Sequence, residues 1–297
     1  MKKNGLFISL GLLWGIGFTI NKYVMAHHVD VLAYSFWLAL GPACCLFLAA
    51  YSCRYPIKIA FSEWRYYGCI ALLGIVIPNT NMYFVAAHLP VGLMAVVINT
   101  APLFLYPMAL FFFRERYSFV RNIGFLLGVF GILLLAWPRV NLLTVSTLPW
   151  LFLGLLSPLC YAYSSIYIAK NSHKNISALS LSVGMLLVSS ILLLLINAPH
   201  ATRMFLLFRQ THELQGLIVL QIILSSLGYV LLFKFLQIAN PIYMILANGL
   251  AIMIGICLGK FVFFEPISLL STLVCILVLV GIFLVSCSEK YRLKNKG

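Results

Sequence analysis

The sequence alternates between long apolar stretches and short polar breaks, and this alternation constrains the fold more than any other feature. A helix needs about 20 mostly apolar residues to cross the hydrocarbon core of a membrane. Hydrophobic residues make up 63% of the chain and charged residues 9%, whereas a soluble domain is about half apolar and a quarter charged. We therefore predict an all-α membrane protein with ten transmembrane helices. The predicted spans are residues 4–24, 31–52, 65–87, 91–113, 118–137, 148–169, 177–197, 214–236, 241–263 and 267–287.

The distribution of basic residues predicts which side of the membrane each end of the chain faces. Lys and Arg concentrate in the cytoplasmic loops of membrane proteins. With a cytoplasmic N-terminus, fifteen of the 20 basic residues fall on the cytoplasmic side, and Lys22, Arg139, Arg203, Arg209 and Lys260 fall outside. We expect a multi-pass protein of a bacterial cytoplasmic membrane with both termini in the cytoplasm. The net charge of +14 then reflects topology, and we expect no nucleic-acid partner.

Two breaks between spans carry the same acidic pattern. The sequences FFRERYSF at 112–119 and VFFEPISL at 262–269 place Glu115 and Glu265 just before a new span. A carboxylate at such a turn can accept the free N–H groups at the start of the following helix and lies at its positive dipole end. We expect both acids to act as helix-turn residues, with Lys260 reaching toward Glu265, and a gating ion pair is the alternative.

The acidic turns belong to a longer internal repeat. At an offset of 150, residues 71–137 align with 221–287 without a gap. At an offset of 147, residues 13–26 align with 160–173, so that helix ends as well as acids correspond. The chain therefore contains two copies of one sequence unit.

Each half holds five predicted spans, so the second half enters the membrane in the opposite orientation from the first. We place the first repeat at residues 1–143 and the second, with the basic cytoplasmic tail, at residues 144–297. Inverted repeats mark secondary transporters, whose substrate site lies near mid-membrane between the repeats and whose halves rock to alternate access. The repeat therefore predicts alternating-access transport.

Three segments carry a family resemblance. The sequences LLWGIGFTINK (12–22), FRERYS (113–118) and FFEPIS (263–268) resemble those of EamA-type transporters of the drug/metabolite transporter superfamily, and the resemblance covers the whole chain. It implies a ten-helix inverted-repeat fold with a central cavity lined by spans 1, 3, 4, 6, 8 and 9. It also implies a small-molecule substrate, for example an amino acid or a derivative such as an S-adenosylmethionine-like compound. Arg114 and Phe264 depart from the family, which usually has glycine before each acid.

Polar and aromatic side chains within the cavity-lining spans are candidates for substrate binding. A charge at the centre of a membrane helix costs about 2.5–3.5 kcal/mol on insertion scales, so polar groups normally face protein or a wet cavity. Asn, Ser and Thr also hold membrane helices together, Trp and Tyr also anchor helices at the interface, and Lys22 could snorkel to the surface. The candidates are Trp14, Asn21, Lys22, Asn79, Tyr83, Asn99, Tyr161, Ser164, Tyr229 and Asn248.

Proline and glycine residues pair across the repeat inside the spans. Pro78 corresponds to Gly228, and Pro158 corresponds to Gly11. Proline removes a backbone hydrogen bond and glycine loosens a helix. Our hypothesis is that Pro78, Pro158 and Gly228 act as hinges of the gates.

The positions of the acids bear on what drives transport. All six acids lie near span ends or in loops, whereas a proton-coupled transporter generally needs a titratable group within the membrane. Substrate exchange or facilitated diffusion is therefore favoured. The expected partners are the small-molecule substrate and the lipid bilayer, and a homodimer is left open. The eight cysteines show no CxxC spacing, and we expect no metal and no cofactor.

Two other functions stay open. A flippase for lipid-linked substrates would need a cavity that opens sideways to lipid. A membrane-embedded enzyme would need a cluster of His, Asp or Cys near one membrane face, and the six histidines are scattered along the sequence.

Overall fold

The protein is a bundle of helices, as the sequence predicts. The computed structural model describes residues 3–57, 59, 64–112, 117–135, 147–171, 177–207, 210–238, 241–265 and 269–287, and the regular structure within these residues is helical. A π-helical turn, Leu72–Val76, joins α3 to α4, and a 3₁₀ turn, Ala198–His200, precedes α11. The α-helices are α1 (Lys3–Ala26), α2 (Val31–Ser52), α3 (Trp64–Ala71), α4 (Ile77–Ala86), α5 (Val91–Ile98), α6 (Ala101–Phe112), α7 (Phe119–Leu135), α8 (Leu148–Gly154), α9 (Leu156–Lys170), α10 (Ala178–Asn197), α11 (Ala201–Leu206), α12 (His212–Ile238), α13 (Pro241–Phe263) and α14 (Leu269–Cys287).

Several of these helices have the length and apolarity of membrane spans. Five helical segments are long and apolar enough to cross a membrane: Val31–Ser52, Trp64–Ala86, Val91–Phe112, Leu179–Asn197 and His212–Leu231. Shorter apolar helices occupy much of the remaining predicted spans. Large apolar side chains on the bundle surface are exposed, which in water would favour aggregation but in lipid is the expected state. Examples are Phe111, Phe119, Phe261 and Leu269. The protein is therefore a multi-pass membrane protein.

Corresponding residues cap the helix that forms the second predicted span of each half. The Asp30 carboxylate accepts a hydrogen bond of 2.8 Å from the N–H of Ala33 at the start of α2. The Ser177 hydroxyl accepts one of 3.1 Å from the N–H of Ser180 at the start of α10. Asp and Ser are preferred N-caps because their side chains satisfy the free N–H groups of the first turn. Since the two positions are 147 residues apart, the repeat extends to local capping chemistry.

Prolines interrupt three of the predicted spans. Pro78 lacks the N–H that would bond to the carbonyl four residues before it, and the turn before it widens, with the Ile77 N–H donating to Leu72 in a π-type bond. Pro102 follows the break between α5 and α6, and Pro158 follows the break between α8 and α9. The interruptions therefore have an identifiable chemical cause.

Corresponding helices of the two halves make corresponding contacts. In the first half α1 packs against α12 and α13, and in the second half α9 packs correspondingly against α4 and α6. The pairs α2–α10, α5–α13 and α7–α14 each join a helix to its own counterpart. Glycines permit the closest approaches, since a Cβ on Gly15 would lie 2.6 Å from Ile254 and one on Gly281 would lie 2.5 Å from the Gly128 nitrogen. The core of the bundle is thus an interface between two similar halves.

Candidate functional site

A hydrogen-bonded cluster joins the two halves in the middle of the bundle. The hydroxyl of Tyr161 on α9 donates to Oδ1 of Asn79 on α4. Asn79 also hydrogen-bonds to the side chain of Tyr229 on α12. One amide therefore connects a helix of the first half to two helices of the second half. These three predicted site residues are brought together.

A second aromatic group adjoins this cluster. The Tyr34 hydroxyl on α2 donates a 2.7 Å hydrogen bond to Oδ1 of Asn21 on α1. The rings of Tyr34 and Tyr83 meet edge to face with centroids 4.9 Å apart, a favourable geometry for aromatic pairs. Tyr83 also lies near Tyr161 and Tyr229. The four tyrosines, together with Asn21 and Asn79, form one group, which we call the tyrosine–amide cluster.

Two further predicted residues lie against helices that carry the cluster. A Cβ added to Gly228 would lie 3.7 Å from the indole nitrogen of Trp14, so Trp14 faces α12 next to Tyr229. A Cβ added to Gly74 would lie 3.0 Å from the hydroxyl oxygen of Ser164, so α9 closely approaches the π-helical turn. Trp14 and Ser164 therefore sit at the same interface between halves as the cluster.

The segment around Pro78 is tied to the second half by polar bonds. The Ser157 hydroxyl donates to the carbonyl of Pro78 at 2.8 Å. The Asn81 amide donates to the Ser157 hydroxyl and to the carbonyl of Leu153, each at 2.8 Å. Pro158, the predicted hinge on this side, directly follows Ser157. Hydrogen bonds thus join the third and sixth predicted spans at the points where each helix is interrupted.

An ion pair closes one end of the bundle. The Nζ of Lys22, near the end of α1, contacts the carboxylate of Glu265, which follows α13. The same carboxylate accepts the backbone N–H of Val91, the first residue of α5, with 3.1 Å to each oxygen. We call Lys22, Glu265 and the Val91 N–H the rim ion pair, and the end that holds it the Lys22 end.

The rim ion pair differs from what the sequence predicts. The sequence predicts that Glu265 bonds to the start of the following helix and attracts Lys260. Residues 266–268 lie outside the described residues. Within the described residues, the carboxylate contacts Lys22 of α1 and the Val91 N–H of α5 rather than Lys260. The reason is the backbone of Phe264, whose φ of 54° turns the chain back along α13. Lys22, predicted as a substrate contact, has Glu265 as its ion-pair partner.

The remaining candidates fall elsewhere. Asn99 ends α5, and its side chain donates a 2.7 Å hydrogen bond to the carbonyl of Ala95 in its own helix, which leaves it a role in the break before α6. Thr100 similarly bonds to Val97. The side chain of Asn248 and the whole of Glu115 lie outside the described residues.

Sequence reasoning missed Tyr34 as a member of the cluster. It lies in the first turn of α2, where an aromatic residue is most simply interpreted as an interface anchor. Its correspondence to Leu181 of the second half gives no polar signal. Only the tertiary structure, in which α2 packs against α4, brings its hydroxyl to Asn21 on α1.

Comparisons with known proteins agree with this architecture. The sequence profile of the EamA-like transporter family matches residues 1–137 and matches again at residues 148–287. One solved crystal structure superimposes with a TM-score of 0.62 at 13% sequence identity, covering 98% of each chain, which is a likeness of fold alone. No curated protein sequence matches this chain.

Proposed function

We propose that this chain, which belongs to the EamA-like transporter family, carries a small metabolite across the membrane by alternating access. Its transport unit is ten membrane helices in two inverted repeats, residues 1–143 and 144–297. Both termini are cytoplasmic in this proposal, as the basic residues favour. Membership of the family supports transport of small molecules, and the geometry of the tyrosine–amide cluster supports alternating access.

One observation carries the mechanism. Asn79 belongs to the first half, and its two hydrogen-bond partners Tyr161 and Tyr229 belong to the second. A substrate that replaces these bonds contacts both halves at once, so its binding and the relative position of the halves are coupled. This is the relation that alternating access around a site between repeats requires.

The chemistry of the cluster favours a metabolite of the amino-acid type. Tyrosine hydroxyls and asparagine amides both donate and accept hydrogen bonds, and the faces of aromatic rings attract ammonium and sulfonium groups. An amino acid, or a derivative such as an S-adenosylmethionine-like compound, offers matching groups.

The acids of the structure support exchange or facilitated diffusion. Asp30, Glu213 and Glu265, the acids among the described residues, lie at helix ends or turns, and none bonds within the tyrosine–amide cluster. Movement of substrate in this proposal follows its own gradient or that of a counter-substrate.

Uptake into liposomes tests the proposal. Purified protein is reconstituted and offered radiolabelled amino acids, nucleosides and S-adenosylmethionine, each with and without a proton gradient and with and without the same compound inside. We expect one amino-acid-like compound to enter, faster with internal substrate and equally fast without the gradient. Failure of every such compound to enter would refute the substrate class, and dependence on the gradient would refute exchange.

A further inference from the structure

The rim ion pair buries a lysine at the edge of the interface between the halves. The side chains of Lys22 and Glu265 are only 14% and 13% exposed. Lys22 Nζ also lies 4.9 Å from the centroid of the Phe263 ring. Lys22 and Val91 belong to the first half, whereas Phe263 and Glu265 belong to the second.

The local backbone is shaped to deliver this carboxylate. Phe264 adopts a left-handed conformation, which is uncommon for a bulky residue, and the N–H of Glu265 then donates to the carbonyl of Gly259 at 3.2 Å. A Cβ on Gly259 would overlap the Glu265 carboxylate. Glycine at this position therefore leaves the room that the carboxylate occupies.

Opening of the Lys22 end must separate these charges. Glu265 follows α13, so it leaves Lys22 when α13 moves away from α1 and α5. A buried ammonium without a partner is strongly unfavourable, so Lys22 then requires water or another anion. Glu265 thus neutralises the positive charge of Lys22 in the closed state.

Lys22 also lies on the face of α1 that leads to the cluster. Trp14, Phe18 and Lys22 are spaced by four residues and share one helix face, and Trp14 at the inner end of that face lies against Gly228 on α12. At 1.5 Å per residue, Lys22 is about 12 Å from Trp14 along the helix axis. A substrate that enters from the Lys22 end toward the cluster passes the lysine.

We propose that the substrate carries an anionic group and that Lys22 exchanges the Glu265 carboxylate for this group when the Lys22 end opens. The inference rests on the proposed transport function and specifies its substrate as an anion or a zwitterion. Glu265 occupies the charge site in the empty closed state, and the substrate occupies it during entry. Lys22 is then a specificity residue as well as one half of an ion pair.

Matched probes that differ only in charge test this role. Purified full-length protein is heated with L-methionine, L-phenylalanine or S-adenosylmethionine, and with the carboxamide of each, and the same compounds are tested for uptake into liposomes. We expect at least one free acid to stabilise the wild type and to enter, with its carboxamide at least tenfold weaker in both assays. In the Lys22→Met variant we expect the preference for the acid to disappear. Lys260→Met removes an exposed lysine from the last turn of α13, the end that Glu265 follows. This variant should keep the preference for the free acid over the carboxamide.

Swapping the charges of Lys22 and Glu265 distinguishes a role in substrate recognition from a role in holding the Lys22 end closed. The double variant K22E/E265K restores an ion pair of opposite polarity but removes the acceptor of the Val91 N–H, so we expect it to recover part of the thermal stability that either single change loses. We expect it to remain at least tenfold slower than the wild type in uptake of the acid. If the pair only ties helices together, the double variant recovers uptake as well as stability, and the inference is overturned.

The other outcomes are also decisive. Equal stabilisation and uptake with acid and carboxamide would overturn the role of Lys22 and leave the transport function intact. Preference for the acid that survives in Lys22→Met would do the same. If no compound of the panel stabilises the protein or enters liposomes, the proposed substrate class fails, and this inference fails with it.

Discussion

Corresponding helices of the two halves differ in continuity. The third span is built from α3, a π-helical turn and α4, whereas its counterpart α12 is one continuous helix, His212–Ile238. The fourth span breaks between α5 and α6, whereas its counterpart α13 is continuous, and the sixth span breaks between α8 and α9, whereas α1 is continuous. Each of these three pairs thus combines one interrupted helix with one intact helix.

This difference shows where binding groups arise in a repeated fold. Pro78 and Pro158 mark two interruptions, and Gly228 and Gly11 occupy the matching positions in the intact helices. Asn79 directly follows Pro78, and Tyr161 follows Pro158 by three residues. The interrupted helices therefore contribute Asn79 and Tyr161 next to their breaks. The intact helices α1, α2 and α12 contribute Asn21, Tyr34 and Tyr229.

The largest effect is expected from Asn79→Leu. The change removes the amide that joins the interrupted helix α4 to α9 and α12, and it leaves the Tyr161 and Tyr229 hydroxyls unpaired at about 1–3 kcal/mol each. Since 1.4 kcal/mol is a factor of ten, we expect uptake in liposomes to fall at least about tenfold. The matched control is Thr80→Val, because the buried Thr80 hydroxyl has no hydrogen-bond partner within the described part of the chain. Equal uptake by Asn79→Leu and the control would contradict the role of the cluster.

A smaller effect is expected from making the third span and its counterpart alike. Pro78→Ala returns the missing N–H and favours a regular α-helix. Gly228→Ala stiffens α12 and fits, because the new Cβ would lie at ordinary contact distance, 3.7 Å, from Trp14. If these positions are hinges, each variant should reach wild-type abundance in the membrane while its transport rate changes about threefold or more. Unchanged rates in both variants would refute the hinge hypothesis.

Asn99→Ala is expected to affect stability more than transport. Its side chain bonds to Ala95 across the end of α5, and one hydrogen bond contributes about 0.5–1.5 kcal/mol. For a chain of this size we expect the melting temperature to fall by about 1–4 °C, with substrate affinity close to wild type. A loss of affinity without a loss of stability would instead support the sequence-based assignment of Asn99 to the substrate site.

The smallest effect concerns the turn between α4 and α5. His88 stacks on Trp150 with centroids 3.7 Å apart, and the partial desolvation of this otherwise exposed ring lowers the pKa of His88. Because the folded state then disfavours the protonated form, His88 contributes stability above the unfolded pKa, ordinarily about 6.5, and loses it as the pH falls through the folded pKa.

Replacing His88 isolates this contribution. His88→Phe keeps the stacking and removes the titration, so the melting temperatures of the two proteins should diverge by about 1 °C as the pH falls from 7.5 to 5. The wild type should lose more. Parallel curves over this range would show that the stacked histidine does not contribute to the pH dependence.

Local features of the sequence were enough to predict the helices and the repeat. Periodic apolar stretches and matched breaks are local signals, so the helical fold and the repeat could be inferred from them. Asn79, Tyr83, Tyr161 and Tyr229 were selected because polar groups in spans are costly, and the structure brings them together. Their role in substrate binding stays a prediction, which uptake by the Asn79→Leu variant tests.

Contacts between distant segments could not be predicted in the same way. Lys22 and Glu265 are separated by 243 residues, and their pairing depends on the backbone at Phe264 and on the space at Gly259. The expected partner Lys260 is near in sequence, and sequence reasoning favours such neighbours. Similarly, nothing in the sequence shows that the Asn99 amide turns back to Ala95, and its place in the substrate site stays a prediction.

Cross-linking of the rim tests most directly whether the halves separate during transport. Cysteines replace Lys22 and Glu265 together, and a bifunctional methanethiosulfonate reagent joins them in reconstituted protein. Variants that carry only one of the two substitutions are treated in parallel, as a control for reaction at the eight native cysteines. We predict that residual uptake of the double variant stops on cross-linking and returns when a reductant releases the link, while the single variants are unaffected. Uptake that continues with the link intact would show that the Lys22 end does not open, and would contradict alternating access between the two halves.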